Sequence, residues 1–227
     1  MNLCHHKSSI KPEQLRTGSW YNLKIQLDGL GYKMLEGHKI VINICSSYWP
    51  MIWTPRRCTD LSIRQAHLSL PMMQDLAQSC KVSADILHAL PRFGPRLLVQ
   101  EKEQSHYKRH FTFGLSEEKK SLKICEKNGL RLHKDSDVEF GEETETLYEL
   151  HGLQDPCSAK VEIKHDLHLN FEASKLEDHA IKSRILTRSQ MRCDMDNFYL
   201  DETLQVFLDG QVFFDKTWSQ SVPRIFS

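Results

Sequence analysis

The chain has 227 residues, of which 40% are apolar and 26% are charged, so its composition is that of a globular protein and not of a disordered one. Lysine plus arginine and aspartate plus glutamate both number 30, which gives no net charge. This balance argues against a general binder of nucleic acid or of membrane surfaces, because such proteins carry a basic excess.

The sequence predicts a reduced, cytoplasmic protein. No apolar run is long enough to cross a membrane, and residues 1–7 have no apolar core of a signal peptide. The seven cysteines are odd in number and no two have C-x-x-C spacing, so neither a disulfide framework nor a zinc site is indicated.

Alternating apolar and polar residues in the first half predict β-strands. Residues 21–28 place Tyr21, Leu23, Ile25 and Leu27 on one face, as a half-buried strand would. Residues 39–45 are more continuously apolar and predict a deeper strand. Residues 61–63 and 68–70 predict a hairpin.

The region 71–105 is different, because it holds three prolines and lacks alternation. Ser83 is a candidate N-cap for a short helix over 84–90, which Pro91 would end. We interpret this region as an irregular connection between two β-rich halves.

The second half returns to strand patterns. Residues 107–113, 161–171 and 198–208 each alternate, and the last run continues through Asp209-Gly210 into a returning strand. Asn128-Gly129 and Asp209-Gly210 both predict two-residue hairpin turns, since these residues tolerate positive φ. About ten short strands indicate an all-β sandwich or jelly roll.

Sequence motifs for catalysis are missing. No two glycines are four residues apart, which excludes the G-x-S-x-G nucleophile elbow, and no phosphate-binding glycine loop occurs. The twelve histidines have no spacing that predicts a metal site, so we expect neither metal nor cofactor. Trp49 and Trp53 lie in the most unusual local cluster, and they either fill a sandwich core or line a ligand groove.

Several distinctive blocks occur in order along the chain, and the most distinctive is Gly37–Trp53. The others are Asn2-Leu3 with His5 and Ser8-Ser9, Leu61–Pro71, Asp155–Ala159, Met191–Asp194 with Phe198, and Trp218 with Val222-Pro223-Arg224. Together these blocks resemble the C-terminal, non-catalytic domain of the cocaine-esterase and Xaa-Pro dipeptidyl-peptidase family of serine hydrolases.

The resemblance implies a galactose-binding-like jelly-roll sandwich that packs on an α/β-hydrolase domain bearing a Ser-Asp-His triad. No residue of this chain matches that triad, so we expect the chain alone to be inactive. Family members carry additional strands before the block at residues 2–9, so residues 1–227 are expected to form one partial sandwich domain. A sandwich without those strands would be marginally stable, or would need a partner, namely the hydrolase domain of the parent enzyme or a separate chain.

The residues singled out are structural or interface candidates, with no catalytic and no metal-binding residue among them. They are Tyr48, Trp49, Pro50, Trp53, Asp155, Pro156, Trp218, Pro223 and Arg224. For Arg224, either several fixed hydrogen bonds or a solvated terminal side chain is possible. The alternative function is a stand-alone module that binds carbohydrate or protein, with Trp49 or Trp53 stacking on the ligand.

Overall fold

A computed structural model describes residues 3–8, 10–29, 31–71, 98–113, 119–152, 155–171 and 180–225. The helix expected over 84–90, and most of the connection 71–105, lie outside the described residues. Eight strands follow one another in chain order. They are β1 (Val99–Glu101), β2 (His106–Phe113), β3 (Lys119–His133), β4 (Val138–His151), β5 (Lys160–Phe171), β6 (Ile181–Cys193), β7 (Asn197–Leu208) and β8 (Gln211–Pro223).

The strands form one antiparallel sheet. Its order is β1-β3-β4-β5-β6-β7-β8, so β3 to β8 run as an uninterrupted meander in which each strand pairs with the next. β1 and β2 both pair with β3, β1 at residues 131–133 and β2 at residues 120–127. β8 is therefore the edge strand at the other side of the sheet.

The register divides the sheet into two chemically different faces, because directly paired residues lie on the same side. One side, which we call the apolar face, is dominated by aliphatic and aromatic residues. Its members include Leu122, Ile124, Phe140, Tyr148, Val161, Ile163, Leu167, Leu169, Ile185, Met191, Phe198, Leu200, Leu204, Val206, Phe214, Trp218 and Val222.

The opposite side, the charged face, carries cross-strand ion pairs. The Arg184 guanidinium contacts the Asp166 carboxylate at 2.6 and 3.0 Å, and Lys123 contacts Glu145 at 2.6 Å. The carboxylate of Glu162, on the middle strand β5, forms ion pairs with Arg188 and Lys164, with its Oε1 3.1 Å from Arg188 Nε and 3.3 Å from Lys164 Nζ. This pairing of opposite charges is typical of a solvated sheet surface, so the other face is the one suited to burial.

The all-β prediction is confirmed, and the single described sheet is consistent with one layer of a sandwich. The strands predicted at 107–113, 161–171 and 198–208 are present. The hairpin at Asp209-Gly210 is confirmed too, because both residues have positive φ, of 49° and 78°, and Leu208 pairs with Gln211.

The hairpin predicted at Asn128-Gly129 is wrong. β3 continues through these residues as one strand, and the register against β4 shifts between Lys127 and Leu130. Gly129 has φ 71°, a left-handed conformation found both in two-residue hairpin turns and in bulges that contain glycine. The Asn-Gly pair correctly indicated a residue with positive φ. In the structure that residue lies in a bulge, and the chain continues in the same direction without a turn.

The strands predicted at 21–28, 39–45 and 61–70 are also wrong. Within the described residues 10–29 and 31–71 the structure contains no helix and no strand, and Ile25, Ile42 and Ile63 are more than half exposed. Alternation defines which side of a strand would be buried, but a strand also needs a neighbour to pair its backbone N–H and C=O groups. No strand of the described sheet supplies that pairing.

Apolar burial is sparse in the described part of the chain, where side chains such as Val41, Tyr48 and Val212 are at least three-fifths exposed. Among the described residues, Ala159 is the one apolar side chain that is fully buried. No described helix is long and apolar enough to span a bilayer.

Candidate functional site

The most enclosed group of the described structure is the guanidinium of Arg224, just after β8, which has no exposed surface. Its Nη1 donates to the Asp194 carbonyl at 2.7 Å and its Nη2 donates to the Thr54 carbonyl at 2.9 Å. The plane of Phe198 lies beneath it, with 4.8 Å between Cζ and the ring centroid. A planar fork of donors suits this arrangement, because it reaches two carbonyls from different segments at once.

These contacts join three parts of the chain that are distant in sequence. Thr54 belongs to the strand-free N-terminal segment, Asp194 to the turn after β6, and Arg224 to the end of β8. The backbone N–H of Arg224 also donates to the Asp196 carbonyl at 2.8 Å. Arg224 is therefore not a solvated terminal arginine, and the alternative of several fixed hydrogen bonds describes its surroundings.

A short turn before β5 completes the enclosure. Pro156–Ser158 form one turn of 3₁₀ helix, and the Asp155 carboxylate caps it by accepting from the Cys157 N–H at 3.0 Å. The Thr54 hydroxyl, itself buried, donates to the Pro156 carbonyl at 2.6 Å. Ala159 follows directly and is buried.

Trp49 and Trp53 cover the same end of the apolar face. Their rings meet edge to face with centroids 5.0 Å apart. Trp49 packs against Tyr148 at 5.9 Å, Trp53 packs against Phe198 at 5.8 Å, and both contacts are edge to face. The Trp53 indole N–H donates to Cys193 Sγ at 3.2 Å. Both tryptophans are half-buried and face the sheet, which is the arrangement of packing residues.

Asp194 organises the turn between β6 and β7. The Tyr199 hydroxyl donates to its Oδ2 at 2.6 Å, and the backbone N–H groups of Asn197 and Asp196 both donate to its Oδ1 at 2.7 Å. These donors hold the pKa of Asp194 below its ordinary value, with the Tyr199 hydroxyl as the largest cause. The carboxylate thus fixes the backbone whose carbonyls bind Arg224.

One of the two cysteines of this region is poorly suited to nucleophilic chemistry. Cys193 lies beneath Trp53, and its burial raises the pKa of its thiol, which disfavours the thiolate. Cys157 Sγ accepts from Arg224 Nη1 at 3.7 Å and lies 3.5 Å from Met195 Sδ.

We call the residues around the Arg224 guanidinium the Arg224 cluster, and six of the nine residues predicted from the sequence lie in it. These six are Trp49, Pro50, Trp53, Asp155, Pro156 and Arg224. Tyr48 is mostly exposed, as is Pro223 at the end of β8. Trp218 lies further back along β8, opposite Glu202, with the Lys216 ammonium 4.9 Å from its ring centroid.

Sequence reasoning missed Thr54 as a member of the cluster. Its burial and its two hydrogen-bonding groups depend on a turn a hundred residues away, and a single threonine beside a proline carries no local signal of that. In the described ranges, no three histidine, cysteine, aspartate or glutamate side chains are grouped so that they could ligate a metal ion.

A comparison with protein families gives one match. Residues 1–83 match the family model of the X-Pro dipeptidyl-peptidase C-terminal non-catalytic domain. The match confirms the resemblance to that family over this segment. No curated protein and no solved structure matches the chain.

Proposed function

We propose that this chain acts as the non-catalytic β-rich domain of an X-Pro dipeptidyl-peptidase-like serine hydrolase, and that it supports an α/β-hydrolase domain that carries the active site. The single observation that carries this proposal is the family match over residues 1–83. The packing around the half-buried tryptophans and the buried Arg224 is consistent with it, because this packing holds distant segments of the chain together.

The Arg224 cluster has a definite part in this function. It ties the segment that matches the family to the sheet, through the Thr54 carbonyl and the contacts of Trp53 with Cys193 and Phe198. We infer that Tyr48, Trp49, Pro50, Trp53, Asp155, Pro156, Trp218, Pro223 and Arg224 serve structure or an interface, with Arg224 as the central tie.

The apolar face supports the presence of a partner. Ile163 and Phe171 on β5, and Phe214 and Trp218 on β8, are each about two-fifths exposed. Exposed apolar side chains grouped on one face of a sheet mark interaction sites. We infer that the α/β-hydrolase domain, in the parent enzyme or as a separate chain, covers it.

The function is tested by assaying the purified chain with an Xaa-Pro chromogenic peptide and a simple ester. We expect no turnover, whereas an X-Pro dipeptidyl-peptidase run beside it as a positive control cleaves the peptide. Turnover that a serine-directed inhibitor abolishes would refute the proposal, because the active site would then lie within this chain.

The partner is tested with an X-Pro dipeptidyl-peptidase catalytic domain prepared without its own C-terminal domain. We expect the chain to bind it, and Ile163→Lys on the apolar face to weaken binding, since a charge would be buried there. Lys164→Gln, one residue away on the charged face, is the matched control and should bind as the unmodified chain does. Equal binding by both variants would exclude the apolar face as the contact.

Three further features belong to the same proposal. We infer that the sheet is one layer of a galactose-binding-like jelly roll, that residues 1–227 form a single domain, and that the protein is cytoplasmic. The sequence feature that supports a reduced compartment is the odd number of cysteines.

A further inference from the structure

Three sulfur-containing side chains meet beside the Arg224 cluster. Cys157 Sγ, in the turn before β5, lies 3.5 Å from Met195 Sδ, in the turn after β6. Cys193 Sγ, at the end of β6, donates to the backbone carbonyl of Cys157 at 3.6 Å. The fold thus brings together two cysteines and a methionine from two distant segments, and no spacing in the sequence indicated this group.

Two of these sulfur atoms can reach one metal ion at the same time. Metal–sulfur bonds are about 2.3 Å long, so the Cys157 and Met195 sulfurs, 3.5 Å apart, can both bind an ion that lies between them. Without an ion, the Cys157 thiol donates a weak hydrogen bond to the Met195 thioether. Met195 is 38% exposed, so an ion can approach the pair from solvent.

Both cysteine sulfurs already accept a hydrogen bond from nitrogen. The Trp53 indole N–H donates to Cys193 Sγ at 3.2 Å, and Arg224 Nη1 donates to Cys157 Sγ at 3.7 Å. Such donors stabilise the thiolate, which is the form of cysteine that binds a metal. Burial raises the pKa of the Cys193 thiol, while the Trp53 N–H and the charge of Arg224 act in the opposite direction.

This set of ligands favours a soft, monovalent ion. Thiolate and thioether sulfur together select Cu(I), whereas a structural Zn²⁺ takes four ligands, commonly cysteine and histidine. The set therefore differs from the groups of histidine, cysteine and carboxylate side chains that the described ranges lack. Binding releases one proton from each cysteine to solvent, and neither copper nor sulfur changes its oxidation state. Two thiolates and one Cu(I) carry one net negative charge, which the neighbouring Arg224 guanidinium offsets.

We propose that Cys157, Cys193 and Met195 form a three-coordinate site for Cu(I). The ion links the turn before β5 to the end of β6. All three ligands belong to this chain, so the site does not depend on a hydrolase domain or on the surface that we assign to one.

The test measures the protection of individual cysteines in the full, unmodified chain. The reduced protein is alkylated with iodoacetamide under anaerobic conditions, with and without one equivalent of Cu(I), and each cysteine is quantified by mass spectrometry. We expect Cu(I) to lower the alkylation of Cys157 about tenfold or more, because a ligated sulfur no longer attacks, and to leave the exposed Cys45 unchanged. One equivalent of Zn²⁺ should not protect Cys157.

Substitutions distinguish this site from ordinary binding of Cu(I) to thiols. Met195→Leu keeps an apolar side chain but removes the thioether, and the affinity for the first equivalent of Cu(I), measured by competition with bicinchoninate, should fall about tenfold or more. Trp53→Phe removes the N–H donor to Cys193 and keeps an aromatic ring, and it should weaken binding about tenfold.

Met34→Leu is the matched control. Met34 is an exposed methionine of the strand-free N-terminal segment, so this variant should bind Cu(I) as the unmodified chain does. Far-UV circular dichroism should show the same β content for all variants. Equal alkylation of Cys157 with and without Cu(I), equal protection by Zn²⁺, or an unchanged affinity of Met195→Leu would overturn the proposal.

Discussion

At the scale of single residues, Arg224 has an unusual position, because a charged side chain is the most buried one described. Burial of a charge is tolerated only when its donors are satisfied, and here two carbonyls and the Phe198 ring meet the guanidinium. The tie between the N-terminal segment and the sheet thus depends on the shape of one side chain.

Replacing Arg224 should loosen this end of the molecule. Arg224→Gln leaves the Asp194 and Thr54 carbonyls without their donors, and each unpaired buried group costs about 1–3 kcal/mol. We expect faster amide hydrogen exchange in the Asp155–Ala159 turn, with Arg224→Lys intermediate. Arg109→Gln, on an exposed arginine of β2 far from this cluster, is the control and should change little. Unchanged exchange in Arg224→Gln would show that the cluster is not a tie.

Replacing Trp53 tests whether this side chain serves packing or ligand binding. Trp53→Ala removes the contacts with Trp49, Phe198 and Cys193, and truncation of a buried tryptophan costs about 3–5 kcal/mol, less for a half-buried one. We expect lower thermal stability, measured by circular dichroism. A variant that keeps its stability but loses binding to a glycan array would instead favour the carbohydrate-binding alternative.

The Asp194 carboxylate should titrate below the ordinary aspartate range. Because its pKa is lowered in the folded chain, it contributes stability above the ordinary pKa of about 3.9, and that contribution is lost as the pH falls through the lowered value. The amide proton shifts of Asp196 and Asn197, followed by NMR from neutral to acid pH, report its titration. Tyr199→Phe should raise the midpoint, and an unchanged midpoint would contradict the assigned cause.

At the scale of elements, two glycines mark the points where the backbone of the sheet departs from regular strand geometry. Gly129 in the bulge of β3 and Gly210 in the β7–β8 turn both have positive φ. Their surroundings differ. A Cβ at Gly129 would overlap the backbone carbonyl of Glu103, while nothing lies within 4 Å of one at Gly210.

Alanine at these two glycines should therefore have unequal effects. Both substitutions incur the left-handed backbone cost of about 1–2 kcal/mol. Gly129→Ala must also displace the segment after β1, so we expect the larger loss of thermal stability there. Gly210→Ala serves as the matched comparison, because it has the same backbone strain without the overlap. Equal losses would mean that the Glu103 segment moves away easily.

At the scale of the whole molecule, apolar side chains are widely exposed among the described residues. Ala159 is the one of them that is fully buried, and Trp49 and Trp53 cover one end of the apolar face, while Ile163 and Trp218 elsewhere on it are about two-fifths exposed. Domain stability is usually only about 5–15 kcal/mol, and each apolar side chain left in water forgoes about 1.5–3 kcal/mol. A partner that covers the apolar face would bury these side chains and so supply the stability that the isolated chain lacks.

This leads to a prediction for the isolated protein. We expect a broad, low-temperature thermal transition and strong binding of the dye ANS, and we expect both to change towards a sharper transition and weaker dye binding when an X-Pro dipeptidyl-peptidase catalytic domain is added. A sharp, cooperative transition of the purified monomer without dye binding would contradict the exposed face.

The sequence by itself determined the properties that depend on neighbouring residues. Alternation located the strands at 107–113, 161–171 and 198–208, and Asp209-Gly210 located a turn, because both signals arise from backbone geometry over a few residues. The ordered blocks also indicated the family over residues 1–83.

Only the tertiary structure decided what depends on distant partners. The pattern at 21–28 and 39–45 resembles that of true strands, yet these residues form no strand because no neighbouring strand pairs with them. Asn128-Gly129 forms a bulge and not a turn, because β4 continues alongside it. The burial of Arg224 and Thr54 likewise depends on three segments that meet in space. Hydrogen-bond pairing and burial are properties of contacts between segments, and local sequence does not specify which segments meet.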